Sequence, residues 1–564
     1  MFLVYIPNAY IRVVPFCPTM KVCYEIRGDK KYAFRSTSRR EPGKKYPVTV
    51  KEYLGVVDPE TGAIIPKKVK SESLKFSLKD GSFRIKDYGN VMVAKKVCDD
   101  IGLLEDLSLS FGNADKAIMC LAMAQAMSPT PFMDTQITLE STYIREIIGI
   151  GEMDFSSQRM SEITQMLGEA GNCMEDLFTL RAKRFAGDRF LYDLTSQSTY
   201  SDLGGFGEWG KNRDGESLRQ INIGLATSSR GDPIAFEIFP GSVSDITTLE
   251  RFARSMNTKV PGCTLVMDRG FESASNAAMM MQDSIDFVMP ATVNSKVVKR
   301  LLTDFAPEVS KPEYDRIHDG HVYSVQERML GLKETEDGWE YISDDDPEFG
   351  SCGQRLKAYV CFDSKKRSDD EQELKMALAA KIKELEGKRF DDPARSFIRK
   401  AGWTSKYLEY TLDDKGRMHI EYRNNAMTFF RNRAGMFIML TPRMDWDTAM
   451  TAYDTRNNVE MAFDIFKNEL DGKRGRTGDP VRARGRLFIK FPALMIRVRM
   501  QLTVSESDIK GLTVDNMLMS SSTYKIIDDR GLKVRNEKTK RVREIFQLFG
   551  VEDPAQLPMA EVTE

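Results

Sequence analysis

Four apolar segments between residues 190 and 270 set the architecture of the chain. They are FLYDLTS at 190–196, INIGLAT at 221–227, PIAFEIF at 233–239 and TLVMDRG at 264–270. Each has the spacing of a β-strand. Helical spacing at 246–256 and 273–282 and a further strand, SIDFVMPA at 284–291, extend the pattern. The alternation of strands and helices predicts an α/β sheet.

The rest of the chain is organised around this sheet. A length of 564 residues is too great for one hydrophobic core, and 41% hydrophobic with 29% charged residues is the composition of a folded, soluble protein. We predict a small basic β-rich module over 1–80, a helical domain over 85–186, the first part of the α/β core over 187–295, an inserted, mostly β domain over 296–442, completion of the core with a helix and a basic segment over 443–500, and a mixed C-terminal region over 501–564.

Composition excludes several classes of protein. The 82 basic and 83 acidic residues give a net charge of -1, so a nucleic-acid surface must arise from local clustering. The apolar stretches are shorter than the roughly 20 residues that cross a bilayer, and we expect a cytoplasmic protein. Eight cysteines without a C-x-x-C pair make a cysteine zinc site improbable. His318 and His321, in the turn HDGH, are expected to be surface loop residues rather than metal ligands.

Two carboxylates stand where buried strands become loops. Asp193 lies within FLYDLTS, and Asp268 ends the run TLVMD before an Arg-Gly turn. A carboxylate at such a position is costly unless its charge is compensated, and a divalent cation is a natural compensation. The alternative is that each aspartate caps a turn, a position that aspartate favours.

The segment 453–467, YDTRNNVEMAFDIFK, supplies a third carboxylate on a helix predicted over about 448–470. Tyr453, Arg456, Glu460 and Lys467 stand at offsets of 0, 3, 7 and 14, within an arc of about 60° on an ideal helix. Apolar residues flank this stripe and should pack on the sheet. A solvated surface is the alternative interpretation. Three converging carboxylates can hold two Mg²⁺ ions about 3.5–4 Å apart, which is phosphodiester chemistry.

A basic segment follows this helix directly. Residues 467–500 contain ten basic and three acidic residues, and the arginines of RGRTGDPVRARGRLF are spaced by glycines. Such a segment gives salt-sensitive, sequence-independent affinity for DNA. A solvated basic loop is the alternative. The predicted DNA-contacting residues in this segment are Lys473, Arg474, Arg476, Arg482, Arg484 and Arg486.

These residues together resemble a known family. The four spaced positions of 453–467 match the Y-x2-R-x3-E-x6-K signature of prokaryotic insertion-sequence DDE transposases. The blocks YDLTSQSTYS at 192–201, PGSVSD at 240–245 and VMDRGFES at 266–273 are similar to the same family. The resemblance covers about residues 186–475.

The resemblance implies a ribonuclease-H-like core, interrupted by a mostly β insertion before the last acidic helix. It implies that Asp193, Asp268 and Glu460 are the catalytic and metal-binding triad for two Mg²⁺ ions, with Mn²⁺ as a substitute. It also implies that Tyr453, Arg456 and Lys467 face DNA.

The implied function is DNA transposition. The protein would cleave the 3′ ends of a transposon and join the freed 3′-hydroxyl groups to target DNA. The implied partners are double-stranded DNA, both the terminal inverted repeats and the target, and further copies of the chain in a homodimer or larger assembly. Two alternatives stay open: a catalytically silent DNA-binding repressor or domesticated factor, and a structure-selective nuclease.

Overall fold

The computed structural model describes residues 21–28, 30–39, 48–59, 62, 64–65, 83–210, 212–293, 295–529 and 532–554. The chain divides into two compact units, Met1–Ser82 and Phe83–Glu564. Among the helices of the described residues, none is long and apolar enough to cross a membrane.

The described part of the first unit is an antiparallel sheet. Its strands are β1 (Lys21–Arg27), β2 (Lys30–Arg39), β3 (Val48–Val57) and β4 (Ile64–Ile65), and they pair in chain order. The ring of Tyr53 lies 5.4 Å from that of Phe34, which joins the faces of β2 and β3. The remainder of the β-rich module predicted over 1–80 lies outside the described residues.

A helical region opens the second unit. It consists of β5 (Phe83–Asp87), α1 (Gly89–Asp100), α2 (Leu103–Phe111), α3 (Asp115–Met127), α4 (Thr135–Ser141), α5 (Ile144–Ile148), α6 (Ser157–Glu169) and α7 (Gly171–Arg184). A buried ion pair, Arg181 to Asp106 at 3.0 Å, joins α7 to α2. The helices share one hydrophobic core with the rest of the unit, so the separate helical domain predicted over 85–186 is not a separate compact body.

The predicted strands and helices of the α/β core are present. They are β6 (Arg189–Thr199), β7 (Arg219–Thr227), β8 (Pro233–Pro240), α8 (Asp245–Lys259), β9 (Thr264–Met267), α9 (Ala274–Gln282) and β10 (Asp286–Pro290). Strands β6, β7 and β8 are antiparallel neighbours, whereas β9 lies parallel to both β6 and β10. The core is therefore a mixed sheet with helices.

The segment 296–442 contains both kinds of element. They are α10 (Lys296–Phe305), β11 (Asp315–His318), β12 (His321–Thr335), β13 (Gly338–Ser343), β14 (Gln354–Phe362), α11 (Ser364–Leu385), α12 (Pro393–Ala401), β15 (Leu408–Leu412), β16 (Met418–Tyr422), α13 (Asn424–Arg431) and β17 (Met436–Thr441).

The mostly β description of this segment is corrected in two respects. Four α-helices lie among its described residues. Its longer strands also continue the core sheet, in the order β11-β12-β14-β17-β10-β9-β6-β7-β8, with β13 paired to β12. The physical reason is that β14 and β17 are buried on both faces, so each needs neighbours on both edges. Only α11, α12, β15 and β16 form a small apolar cluster of their own, around Leu378 and Phe397.

The rest of the unit consists of α14 (Trp446–Asp454), α15 (Asn457–Asp464), a π-helical turn (Ile465–Glu469), β18 (Arg474–Gly475), α16 (Pro480–Ser505), α17 (Val514–Ser521), β19 (Lys525–Asp529), β20 (Leu532–Arg535) and α18 (Lys540–Phe549). Helix α16 packs against α3 and α6, and it joins the helical region to the core. Strand β19 pairs with β5, so the C-terminal region returns to the start of the unit.

The prediction of a single helix over about 448–470 is wrong. Helix α14 ends at Asp454, and α15 begins at Asn457. Between them, the Thr455 hydroxyl donates to the Ala452 carbonyl at 2.6 Å, and Arg456 N–H donates to the Tyr453 carbonyl. These three-residue bonds replace the four-residue bonds of an α-helix and break it. The π-helical turn at Ile465–Glu469 then adds a second irregularity.

Candidate active site

Strand pairing brings the first two predicted acids to adjacent positions. In the parallel pair of β6 and β9, Tyr192 lies beside Met267. One residue further along each strand direction are Asp193, within β6, and Asp268, which directly follows the last residue of β9. A 3₁₀ turn begins after it, and Phe271 N–H donates to the Asp268 carbonyl at 3.2 Å. The turn predicted from the Arg-Gly dipeptide is thus present.

The third acid reaches this edge because α15 packs on the sheet. Val459, Ala462 and Phe463 are buried, and α15 contacts β6 and β7, whereas the Glu460 side chain is 60% exposed. The turn between β7 and β8 fixes the start of the helix, because Asn458 Nδ2 donates to the Ser229 carbonyl at 2.7 Å. Gly231 in this turn has a φ of +95°, and a Cβ there would lie 2.8 Å from the Asn458 carbonyl.

Arg456 connects two of the three acids. Its Nη1 donates to Asp268 Oδ1 at 2.7 Å, and its Nη2 lies 3.4 Å from Glu460 Oε1. The guanidinium also lies 5.5 Å from the ring centroid of Tyr453. Three members of the predicted polar face, Tyr453, Arg456 and Glu460, are therefore neighbours despite the break in the helix, and they lie next to Asp268.

Asp193 is in an environment that disfavours its negative charge. The pKa of its carboxyl is raised to about 6, mainly by desolvation and to a smaller extent by the nearby carboxylates of Asp268 and Asp245. The Leu194 N–H, which donates to Asp193 Oδ1 at 2.7 Å, and the guanidinium of Arg213 only partly oppose this rise. Asp193 is half-buried beside two other carboxylates, and Arg213 compensates its negative charge only in part.

The donor set fits a divalent cation. Asp193, Asp268 and Glu460 offer carboxylate oxygens, the hard ligands that Mg²⁺ prefers. The raised pKa of Asp193 is the observation that supports the fit, because a bound cation would stabilise the ionised form. These residues, rather than a histidine or cysteine set, would hold the metal.

A second group of ligand-type residues is more compact. It consists of His318, Asp319 and Asp454, whose ligand atoms all lie within 4.8 Å of one another. In the part of the chain that the structure describes, no other three histidine, cysteine or acidic residues are this close together. His318 Nε2 lies 2.7 Å from Asp454 Oδ2, and the His318 side chain is only 10% exposed. The prediction that His318 is a surface loop residue is therefore wrong, because His318 lies in β11 and its ring packs 5.8 Å from that of Trp446, at the start of α14.

The predicted DNA-contacting cations divide into two sets. Four have carboxylate partners: Arg456 as above, Lys467 with Asp214 at 2.8 Å, Arg474 with Glu216 at 2.6 Å and Arg476 with Asp471 at 3.4 Å. Across the described residues, no carboxylate lies within 4.0 Å of Lys473, Arg482, Arg484 or Arg486. The first set is neutralised within the chain, whereas the second set leaves its positive charge uncompensated.

Three residues near the site are missing from the sequence prediction. Asp214, in the connection between β6 and β7, holds Lys467, while Arg213 pairs with Asp245 at 2.9 Å. Asp245 ends the block PGSVSD, and a Cβ at Gly270 would lie 2.9 Å from its Oδ2. The signal for Asp245 was its place in that block. Nothing in the sequence links Asp214 to Lys467, 253 residues away.

The comparison with known families agrees with this geometry. Residues 184–496, which include all three acids and the basic segment, match the family described as Transposase DDE domain. No curated protein matches the chain. The family acts on DNA and uses divalent metal ions. The match covers more than half of the chain, and the protein therefore belongs to the family of transposase DDE domains.

Proposed function

We propose that the protein is a DNA transposase of the insertion-sequence type, which cleaves transposon ends and transfers the 3′-hydroxyl ends into target DNA. The observation that carries the proposal is the convergence of Asp193, Asp268 and Glu460, from two neighbouring strands and one helix, within the family match. The Y-x2-R-x3-E-x6-K spacing at 453–467 supports the insertion-sequence group.

Asp193, Asp268 and Glu460 would hold two Mg²⁺ ions, or Mn²⁺ in their place. When bound, two such ions activate an attacking oxygen and stabilise a leaving oxygen in phosphodiester cleavage. Asp193 would act as a ligand next to Asp268, because β6 and β9 are neighbouring parallel strands. Its carboxyl must be ionised to act as a ligand, so proton release from Asp193 accompanies metal binding.

Arg456 has a double role in this proposal. Without metal it holds Asp268 and Glu460 in place, and it prevents the uncompensated repulsion of the acids. With metal ions held by the acids, the Arg456 guanidinium would be free to bind a DNA phosphate through two N–H groups. Tyr453, whose ring lies beneath it, limits the directions in which the guanidinium can turn.

The DNA would run from the acids along the basic segment. Lys467, Lys473 and Glu460 line one groove of about 600 Å³ on the same side of β6, together with Thr195. The uncompensated cations Lys473, Arg482, Arg484 and Arg486 supply positive charge beyond it. The terminal inverted repeats and the target are the proposed double-stranded partners, in a homodimer or larger assembly in the cytoplasm.

The test is cleavage of labelled DNA duplexes that carry the repeats flanking the coding sequence, with Mg²⁺ or Mn²⁺. Wild-type protein should nick the 3′ ends and join them to a second duplex. Glu460→Gln should bind the duplex but leave it intact, whereas Glu373→Gln, on exposed α11, should cleave normally. Cleavage by Glu460→Gln at the wild-type rate would refute the assignment. Nicking without joining would identify a nuclease instead.

A further inference from the structure

A partly open pocket of about 140 Å³ lies between the helical region and the basic segment. Phe132 and the α6 residues Ser157 and Ser161 form one wall. Arg476, Arg486 and Lys490 form the other, on the chain that leads from β18 into α16. We name this cavity, defined by these six residues, the arginine pocket.

The arginine pocket carries more positive than negative charge. Asp471 is its one acidic lining residue, and it lies 3.4 Å from Arg476. Lys490 is 8% exposed and donates to the carbonyls of Leu470 and Asp471, and among the described residues no carboxylate lies within 4.0 Å of its ammonium group. A buried cation without an anionic partner is costly, so the pocket favours an anion.

Arg486 is arranged to receive that anion. Its guanidinium lies 5.7 Å from the Phe132 ring centroid, which holds its plane. Its Nε is buried, and within the described part of the chain it has no hydrogen-bond partner. Its Nη1 makes only a long contact of 3.4 Å with the Arg476 carbonyl. The guanidinium therefore has free donors next to the cavity, in the fork geometry that matches phosphate.

The pocket and the catalytic edge lie along the same face of β6. Side chains at alternate positions of β6 share a face, so Asp193, Thr195 and Gln197 follow one another along it. Thr195 lines the groove that contains Glu460, and Gln197 lines the arginine pocket. Four residues at about 3.3 Å each place Gln197 roughly 13 Å from Asp193, or about four base-pair steps of 3.4 Å.

We propose that the arginine pocket binds one backbone phosphate of the DNA strand, a few nucleotides from the bond that is cleaved. The identification of this ligand as DNA rests on the proposed function. It goes beyond that function in assigning Phe132, Ser157, Ser161 and Lys490, from two regions of the chain, to a single phosphate subsite. The helical region would thereby fix the register of the DNA on the catalytic acids.

The test is a methylphosphonate scan, in which single phosphates of the flanking-repeat duplex are replaced by neutral groups. Binding is measured in EDTA, so the result does not depend on cleavage. For wild-type protein we expect one position near the cleaved bond at which the Kd rises roughly tenfold, the loss of one charged hydrogen-bonded contact. Arg486→Gln should bind the unmodified duplex roughly tenfold more weakly and should be insensitive at that position.

Arg395→Gln is the matched control, because Arg395 is exposed on α12 and does not line the pocket. It should keep the wild-type response at that phosphate. Phe132→Leu, which removes the ring beneath the guanidinium, should reduce the response and serves if Arg486→Gln does not fold. Full sensitivity of both pocket variants at every position would overturn the proposal. Absence of any DNA binding by wild-type protein would instead overturn the proposed function.

Discussion

Two groups of metal-ligand-type residues include one acid each from α14 and α15. They differ in how far nearby groups compensate their negative charge. His318, Asp319 and Asp454 are compact, and a direct contact between His318 and Asp454 at 2.7 Å joins two of them. Asp193, Asp268 and Glu460 are spread more widely, and Arg456 is shared between two of them. In the first group His318 and Asp454 are already paired, whereas the charge of Asp193 in the second group is only partly compensated, by Arg213.

Under the proposed assignment, closeness of ligand-type residues is a poor guide to the metal site. Two ions 3.5–4 Å apart need ligands on both sides, so their carboxylates cannot all lie close together. Glu460 of the more spread group also lines an open groove of about 600 Å³ that contains Lys467 and Lys473. We therefore propose Asp193, Asp268 and Glu460, rather than the compact group, as the ligands for metal-dependent DNA cleavage.

The largest expected effect is on DNA cleavage. Asp268→Asn should lower the rate at least about 1000-fold, because loss of a metal ligand removes roughly 4 kcal/mol of transition-state stabilisation. Asp454→Asn should stay within a few-fold of wild type. Single-turnover cleavage with Mg²⁺ measures both rates. Equal losses in the two variants would remove the distinction between the groups.

The second prediction concerns the stability of the metal-free protein. The folded pKa of Asp193, about 6, lies above the unfolded value of 3.8, so the ionised carboxylate destabilises the fold at neutral pH. Asp193→Asn should raise the free energy of unfolding by up to about 3 kcal/mol above pH 6, and the gain should vanish as the pH falls towards 4.

Asp454→Asn should have the opposite sign. It weakens the contact with His318, and we expect a loss of about 1 kcal/mol. Urea unfolding in EDTA at pH 8 and pH 4 measures both variants. Destabilisation by Asp193→Asn at pH 8 would contradict the view that its charge is unsatisfied.

The third prediction tests how the spread group is positioned. Gly231→Ala places a Cβ 2.8 Å from the Asn458 carbonyl at the start of α15, so it should displace Glu460 and lower cleavage roughly tenfold. Gly187→Ala is the matched control, since its φ is +91° and a Cβ there meets nothing within 4 Å. Both variants carry backbone strain, but only Gly231→Ala should lose activity beyond its loss of stability. Similar cleavage rates for the two variants would show that this turn does not position Glu460.

The smallest expected effect is on DNA affinity. Asp214 neutralises Lys467 at 2.8 Å, and a DNA phosphate must compete with it. Asp214→Asn should therefore strengthen metal-free DNA binding a few-fold, most clearly at low salt. Asp369→Asn, a charge change of the same size on exposed α11, should have no such effect. Weaker binding by Asp214→Asn in filter-binding measurements would mean that Asp214 orients Lys467 instead.

Much of the core could be predicted from the sequence, because its signals are local. The strands that contain Asp193 and precede Asp268 are apolar runs, and they are present as β6 and β9. The helix break at Thr455 could not be predicted, since threonine also occurs inside helices. In the folded chain its hydroxyl donates to the Ala452 carbonyl. The joining of β17 to β10 depends on pairing across 150 residues, which composition does not specify.

Only part of the candidate site could be predicted from the sequence, because only part of it depends on local signals. The spacing from Tyr453 to Glu460 survives the helix break because the shortened turn still brings Arg456 close to both. The partners of the cations were not predictable. Asp214, Glu216 and Asp245 come from connections whose positions depend on the folded sheet.

The most direct test of the central assignment is anomalous diffraction from crystals of the metal-free protein soaked in Mn²⁺. Our account predicts two peaks about 3.5–4 Å apart, bound by Asp193, Asp268 and Glu460, with Arg456 released from at least one of the acids. Mn²⁺ bound by His318, Asp319 and Asp454 alone, with Arg456 still joining Asp268 to Glu460, would contradict it.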